Sequence, residues 1–272
     1  MTLWCDVGVN LFSEQFAADR PLVLERATAA GVKHLLLIGS DLAESEQNLQ
    51  FCLQQAQQQT SLSLVTTAGV HPHYAAQVTD NWLQQLTQLL SADSVVAIGE
   101  CGLDFNRDFS PRPQQQQVFA EQLQLAVQYN KAVYLHERDA FDTQIAMLKQ
   151  HNIQHGVAHC FTGNVQQLRA YLDLGLYIGI TGWVCDDKRG AELQQAIAYI
   201  PNDRLLLETD APFLMPKNIQ PKPNSRRNEP AYISYVAEKV AELKHCSVSD
   251  ISTLTWQNSQ RLFGFMPRPE HD

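Results

Sequence analysis

The sequence predicts an α/β fold, a single TIM (β/α)8 barrel over residues 1–272 with a C-terminal helical extension. Three observations carry this. Eight short apolar, β-branched runs alternate with longer segments of helical periodicity, which calls for a parallel sheet with crossover helices. The 272 residues suit a barrel of ~250, although at roughly 150 per domain two domains also fit. No linker or drop in apolar content marks a second domain. A doubly wound open sheet is the alternative, but it more often stops at about five to seven strands.

In chain order, the run Leu3–Val9 leads through a helical segment at Pro21–Ala30 to His34–Ser40, then through Leu42–Gln58 to Leu64–Val70. Trp82–Leu90 precedes the fourth run, Val95–Glu100, and Gln114–Tyr129 precedes the fifth, Ala132–His136. Phe141–Gln150, Val165–Leu174 and Ala191–Tyr199 then separate the runs Gly156–His159, Tyr177–Thr181 and Leu205–Glu208. Pro111 and Pro113 sit where a helix would start, and Gly31 and Gly175 follow helical runs as stops. Two further helices, Tyr232–Leu243 and Val248–Phe263, form the extension, with Asn228-Glu229-Pro230 as the cap of the first. The glutamine runs Gln57–Gln59 and Gln114–Gln117 read as solvated helix faces.

Composition is that of an ordinary soluble protein, 44% hydrophobic and 18% charged. A net charge of −9 disfavours tight, passive binding of duplex DNA but not turnover of nucleic acid. No run approaches the ~18 apolar residues of a membrane span, and the N-terminus has no secretory pattern. Six cysteines without a CxxC pair fit reduced thiols, so a cytoplasmic protein is expected; it is also expected to have no membrane partner and to be a monomer.

Chemistry in such a barrel sits at the C-terminal strand ends. Strand four ends at Glu100 with Asp104 beyond it, strand five at His136, strand six runs into His159, and strand eight ends in Glu208-Thr209-Asp210. Strand three runs into His71-Pro72-His73. A lone histidine at a strand end is more often structural. Several imidazoles and carboxylates converging on one mouth would be costly to bury without a cation, and a divalent metal offsets that cost. Imidazole and carboxylate with room for water suit metal-assisted hydrolysis. Period-two alternation turns Cys101 and Cys160 away from a mouth that Glu100 and His159 face, leaving nitrogen and oxygen donors. Such donors suit Mg²⁺, Mn²⁺, Co²⁺ or Zn²⁺, and the oxygen content favours Mg²⁺ or Mn²⁺.

The stretches Ala68-Gly69-Val70-His71-Pro72-His73, Ala97–Asp104, His159-Cys160-Phe161-Thr162-Gly163 and Glu208-Thr209-Asp210-Ala211-Pro212 resemble signatures of the TatD family of metal-dependent DNases. Ile178–Gly182 and Ser225–Pro230 add to the resemblance, which spans nearly the whole chain. It implies an amidohydrolase-like barrel and a magnesium-dependent 3′-to-5′ exonuclease on single-stranded DNA, and on RNA, with a role in repair of oxidative DNA damage. It further implies metal ligation by Glu100, His136 and His159, with Asp210 as the catalytic residue that orients or deprotonates water. One departure stands out: many relatives carry Asp-x-His-x-His on strand one, whereas Asp6-Val7-Gly8-Val9-Asn10 has Gly8 and Asn10 at the imidazole places. One firmly held Mg²⁺ or Mn²⁺ is therefore expected, with a second recruited with substrate.

After strand eight, a proline-stiffened loop from Pro212 to Pro230 carries Lys217, Lys222, Arg226 and Arg227 and is expected to overhang the mouth. Arg226 and Arg227 are the candidate phosphate clamps. His71 and His73 are candidate substrate ligands or proton shuttles, the alternative being a tight turn at Pro72 with one histidine capping backbone. Trp183 and Phe161 are placed to stack on bases, although Phe161 could equally pack in the core. His34, His151, His155, His245 and His271 read as structural or surface residues. Cyclic-amide hydrolysis by a related barrel relies on a carboxylated lysine where Glu100 stands, and Lys131 lies at the wrong end of strand five. A non-catalytic scaffold is the third reading, motivated by the missing strand-one histidines.

Overall fold

A computed structural model describes residues 2–58 and 61–265, so Gln59 and His271 lie outside the described residues. Eight parallel strands run in the order β1 to β8: Trp4–Val9, Val32–Leu37, Ser63–Ala68, Val95–Asp104, Ala132–Arg138, Gly156–Ala158, Tyr177–Ile180 and Leu205–Leu207. Helices α1 to α7 cross between them, at Arg20–Ala29, Leu42–Gln57, Trp82–Leu90, Arg112–Tyr129, Phe141–Gln150, Val165–Asp173 and Ala191–Ile197. The extension is α8, Ile233–Lys244, and α9, Val248–Phe263. The ring is completed where Val9 bridges Ala211, with Asn10 N–H donating to Ala211 at 2.8 Å and Asp210 N–H to Gly8 at 2.8 Å. Among the described residues, no helix is long and apolar enough to cross a membrane.

Alternation along the strands sorts side chains onto two faces. Leu35, Leu37, Val133, Leu135, Leu205 and Leu207 pack outward against the helices. Val7, Leu36, Ala97, Tyr134, Val157 and Leu206 form a separate interior cluster. Trp256 and Phe263 of α9 join it from below, and Ser252 donates to the Leu3 carbonyl at 2.7 Å. The C-terminal extension thus plugs the N-terminal end of the barrel and leaves the opposite end open.

Several boundaries differ from the sequence expectation. Strands β4 and β5 continue past Glu100 and His136 because Gly102, Leu103 and Asp104 stay in register with His136, Glu137 and Arg138. Strand β2 stops at Leu37, since Gly39 N–H turns to the Thr67 hydroxyl at 2.9 Å and Ser40 N–H to Glu44 at 3.0 Å. Asn228 does not cap α8. Its amide donates to the Thr209 carbonyl at 2.8 Å, and a short 3-10 turn at Pro230–Tyr232 precedes the helix.

Candidate metal centre at the barrel mouth

Extending the inner face past the apolar residues puts the polar strand ends together: Tyr134 is followed by His136, Val157 by His159 and Leu206 by Glu208. Glu100 on β4 is the hub. Its Oε1 lies 3.0 Å from His136 Nδ1, 3.6 Å from His71 Nε2 and 3.8 Å from His159 Nε2. His159 Nε2 is in turn 3.9 Å from Asp210 Oδ1, which accepts a hydrogen bond from the Asn10 amide at 2.9 Å. The predicted ligands Glu100, His136 and His159 and the predicted catalytic Asp210 therefore do meet.

Asp104 joins them, with Oδ2 at 2.8 Å from His73 Nε2 and 3.3 Å from His136 Nε2. On the far side of His159, Glu208 touches Nδ1 and the Tyr134 hydroxyl lies 2.7 Å from the same atom. Tyr134 was not among the expected site residues, and Glu208 was read only as a strand-end carboxylate with no role of its own. The alternation that points His136 and Leu206 inward was the available signal.

Electrostatics at this end are those of a cluster made for a cation. Burial pushes the Glu100 carboxyl up, but His71, His136 and His159 together outweigh it and hold the group well below the usual carboxylate range. Burial lowers His136 and His159, yet hydrogen bonds to Asp104 and Glu100 raise His136 to about 9, and Glu208 raises His159 to about 10. Burial pushes Asp210 up to about 7, against the pull of His159. His71 differs, since burial drives it down to about 3 in spite of Glu100.

These residue types fit a divalent metal. Donor atoms of His71, Glu100 and His136 lie within 4.8 Å of one another, as do those of His159, Cys160 and Asp210. Hydrogen bonding distinguishes the histidines. His71 Nδ1 accepts from His73 N–H at 3.1 Å, so in the neutral ring the proton sits on Nε2, and that nitrogen is a donor. This is the backbone cap at Pro72 that stood as the alternative for this pair, and it leaves His71 better suited to donate to substrate than to ligate. His73 is half-buried at the rim, tied to Asp104 and set edge to face against Phe109 with centroids 4.7 Å apart.

Several placements correct the expectations. Cys160 does not turn away: it takes a positive φ of 46°, which breaks the alternation after β6 and turns its thiol into the mouth. Cys101 does face the helices, buried in the outer core. Phe161 packs in the core against Tyr171, whereas Trp183 lines the mouth with Arg189 over its ring at 4.5 Å. Arg226 and Arg227 are not brought to the centre. Arg226 is exposed outside the cleft, and Arg227 is bound to Asp19 at 2.7 Å and Glu229 at 2.7 Å, tying the loop to the start of α1. Lys217 pairs with Asp186 at 2.6 Å, and only the start of the loop, at Phe213 and Leu214, reaches the mouth.

The centre opens into a cleft of 1220 Å³. Its rim carries Phe109, 65% exposed, and Phe213, 49% exposed, with Arg107 and Arg138 as cations. Residues 5–264 match the family described as TatD related DNase. The chain belongs to that family. A relative from Salmonella typhimurium named 3′-5′ ssDNA/RNA exonuclease TatD is 44% identical over 260 residues, 95% of this chain and 98% of that one. A TatD family hydrolase from Entamoeba histolytica superposes with a TM-score of 0.88 at 27% identity, covering 96% and 98% of the two chains. The TatD homologue YjjV from Escherichia coli K12 gives 0.84 at 30% identity, covering 97% and 98%. These TatD proteins share the barrel over nearly the whole of this chain.

Proposed function

We propose that this chain is a metal-dependent 3′-to-5′ exonuclease acting on single-stranded DNA, and on RNA, with Mg²⁺ as its working ion. The observation that carries the reading is the Glu100 carboxylate ringed by imidazoles at the floor of an open, aromatic-rimmed cleft. The relatives named for this activity support the polarity and the substrate. Held by Glu100, His136 and His159, a divalent ion supplies Lewis acidity and lowers the pKa of water. Mn²⁺ is expected to bind the same imidazole-rich set more tightly than Mg²⁺.

The chain's own groups do the rest. Asp210, with a pKa near 7 and fixed by Asn10, takes the proton of the attacking water. His71 stays neutral and donates from Nε2 to a phosphate oxygen. Arg107 and Arg138 take the phosphate role expected of Arg226 and Arg227, while Phe109, Phe213 and Trp183 offer faces for unpaired bases. A cyclic-amide hydrolase is disfavoured because Lys131 donates to the Val95 carbonyl at 2.6 Å, at the opposite end of the sheet. The proposed enzyme is a monomer, and its scattered cysteines suit the cytoplasm. Trimming of single-stranded 3′ ends is the form in which such an enzyme would serve DNA repair.

Time courses on 5′-labelled and 3′-labelled single strands, with Mg²⁺ or EDTA, test the reading. Immediate release of a 3′ label as mononucleotide, abolished by EDTA, is expected; release of the 5′ label first, or indifference to EDTA, overturns it. In the same assay Phe109→Ala should raise KM about 5- to 150-fold, from ~1–3 kcal/mol per stacked base, without affecting a base-free phosphodiester.

A further inference from the structure

Beneath His159 lie two buried groups that the reaction steps above do not use. Tyr134 donates its hydroxyl proton to the Val7 carbonyl at 2.9 Å, and the same oxygen lies 2.7 Å from His159 Nδ1. A phenol has one proton, so with Val7 holding it the oxygen can only accept from the ring. Glu208, wholly buried, presents Oε2 to the same nitrogen and also accepts from Cys160 N–H at 3.3 Å. Both neighbours of Nδ1 are acceptors. The ring proton is thereby drawn to Nδ1, and the Nε2 lone pair faces Glu100 and Asp210. His71, whose Nδ1 is itself an acceptor, has the opposite arrangement.

Two glycines give the pair its room. A Cβ on Gly8 would meet the Tyr134 hydroxyl at 2.5 Å and Glu208 Oε2 at 3.1 Å, and one on Gly179 would meet Glu208 Oε1 at 1.6 Å. That Oε1 is buried with no hydrogen-bond partner, so the carboxylate is seated there by its contacts through Oε2 and by the space the glycines leave. Gly8, seen in the sequence only as a missing imidazole, occupies a place that a side chain could not share with this pair.

We propose that Glu208 and Tyr134 are positioning residues that fix His159 as its Nδ1–H tautomer and so deliver Nε2 to the metal, with Gly8 and Gly179 making room for them. The inference rests on His159 being a metal ligand. Histidine ligands commonly donate their second N–H to such a partner, and loss of the partner costs about 10- to 100-fold in metal affinity.

Calorimetric titration of the full chain with Mn²⁺ tests this, with Glu100→Ala as the control for the metal centre. Glu208→Ala is expected to weaken Mn²⁺ binding about 10- to 100-fold, and Glu208→Gln, which keeps an acceptor oxygen, to recover most of the loss. Tyr134→Phe, the variant to use if Glu208→Ala does not fold, is expected to weaken binding by less. Gly8→Ala is expected to weaken binding too, and the double variant Gly8→Ala/Tyr134→Phe to lose less than the sum, because the hydroxyl that the new methyl meets is gone. Long-range proton–nitrogen spectra of the Mg²⁺-loaded protein are expected to show His159 protonated on Nδ1. Wild-type Mn²⁺ affinity in Glu208→Ala and Tyr134→Phe, with binding lost in Glu100→Ala, overturns the proposal and spares the metal centre. Wild-type affinity in Glu100→Ala instead overturns the metal centre itself, and the tautomer proposal with it.

Discussion

At the bottom of the barrel, His34 lies between Trp256 and Phe265, with ring centroids 4.8 and 4.7 Å away and no hydrogen-bond partner for its buried Nδ1. Burial there lowers it to about 4. At the mouth, His159 is buried as well and His136 half-buried, yet Glu100, Asp104 and Glu208 raise them to about 10 and about 9. Depth is common to both ends, and the difference is the carboxylates. Apolar surroundings make a histidine a packing residue, whereas carboxylates make it one half of a site that a cation can take over.

Substitutions at the two ends should therefore separate stability from chemistry. The largest effect on stability is expected from Trp256→Ala, about 3–5 kcal/mol by denaturant unfolding, with kcat of the folded fraction unchanged. A comparable loss of kcat in the folded fraction would show the two ends to be coupled.

Metal-free unfolding against pH gives a smaller, signed contrast. His136 and His159 contribute stability that is complete below their unfolded value of about 6.5 and fades as pH rises through about 9 to 10. His34 contributes in the opposite sense: its share is present above about 6.5 and is lost as pH falls towards about 4. Saturating Mn²⁺ should remove the alkaline arm, because bound imidazoles have already given up their protons, and leave the acid arm in place. An alkaline arm that survives metal would break the contrast.

The smallest effect belongs to a third region. Arg227 sits in an ion-pair cluster with Arg26, Asp19 and Glu229, and its hydrogen bonds lower Asp19 to about 2. Arg227→Ala should lower Tm by a few degrees at most, as part-exposed pairs contribute ~0–1 kcal/mol. It should leave kcat/KM on single-stranded DNA within about twofold; a larger loss would return Arg227 to the phosphate role that the sequence suggested.

The barrel was legible because strand and helix periods alternate without conflict, Glu100, His136 and His159 were legible because each directly ends an apolar run, and Asp210 was legible through the resemblance carried by Glu208-Thr209-Asp210-Ala211-Pro212. Glu208 and Tyr134 were harder. Their role depends on a contact made between β5, β6 and β8, which no local spacing encodes. Cys160 was misassigned because alternation holds only while the backbone stays extended. Arg227 looked like part of a phosphate clamp because its partner Asp19 reaches it only through the fold.

The most direct test of the central claim is cleavage of a single strand by Glu100→Ala beside the wild type, in saturating Mg²⁺ and then Mn²⁺. Loss of at least about a thousandfold in rate, roughly 4 kcal/mol of barrier, with unfolding otherwise like that of the metal-free wild type, is the predicted result. Mononucleotide release at the wild-type rate from Glu100→Ala would show that the chemistry does not run through this centre.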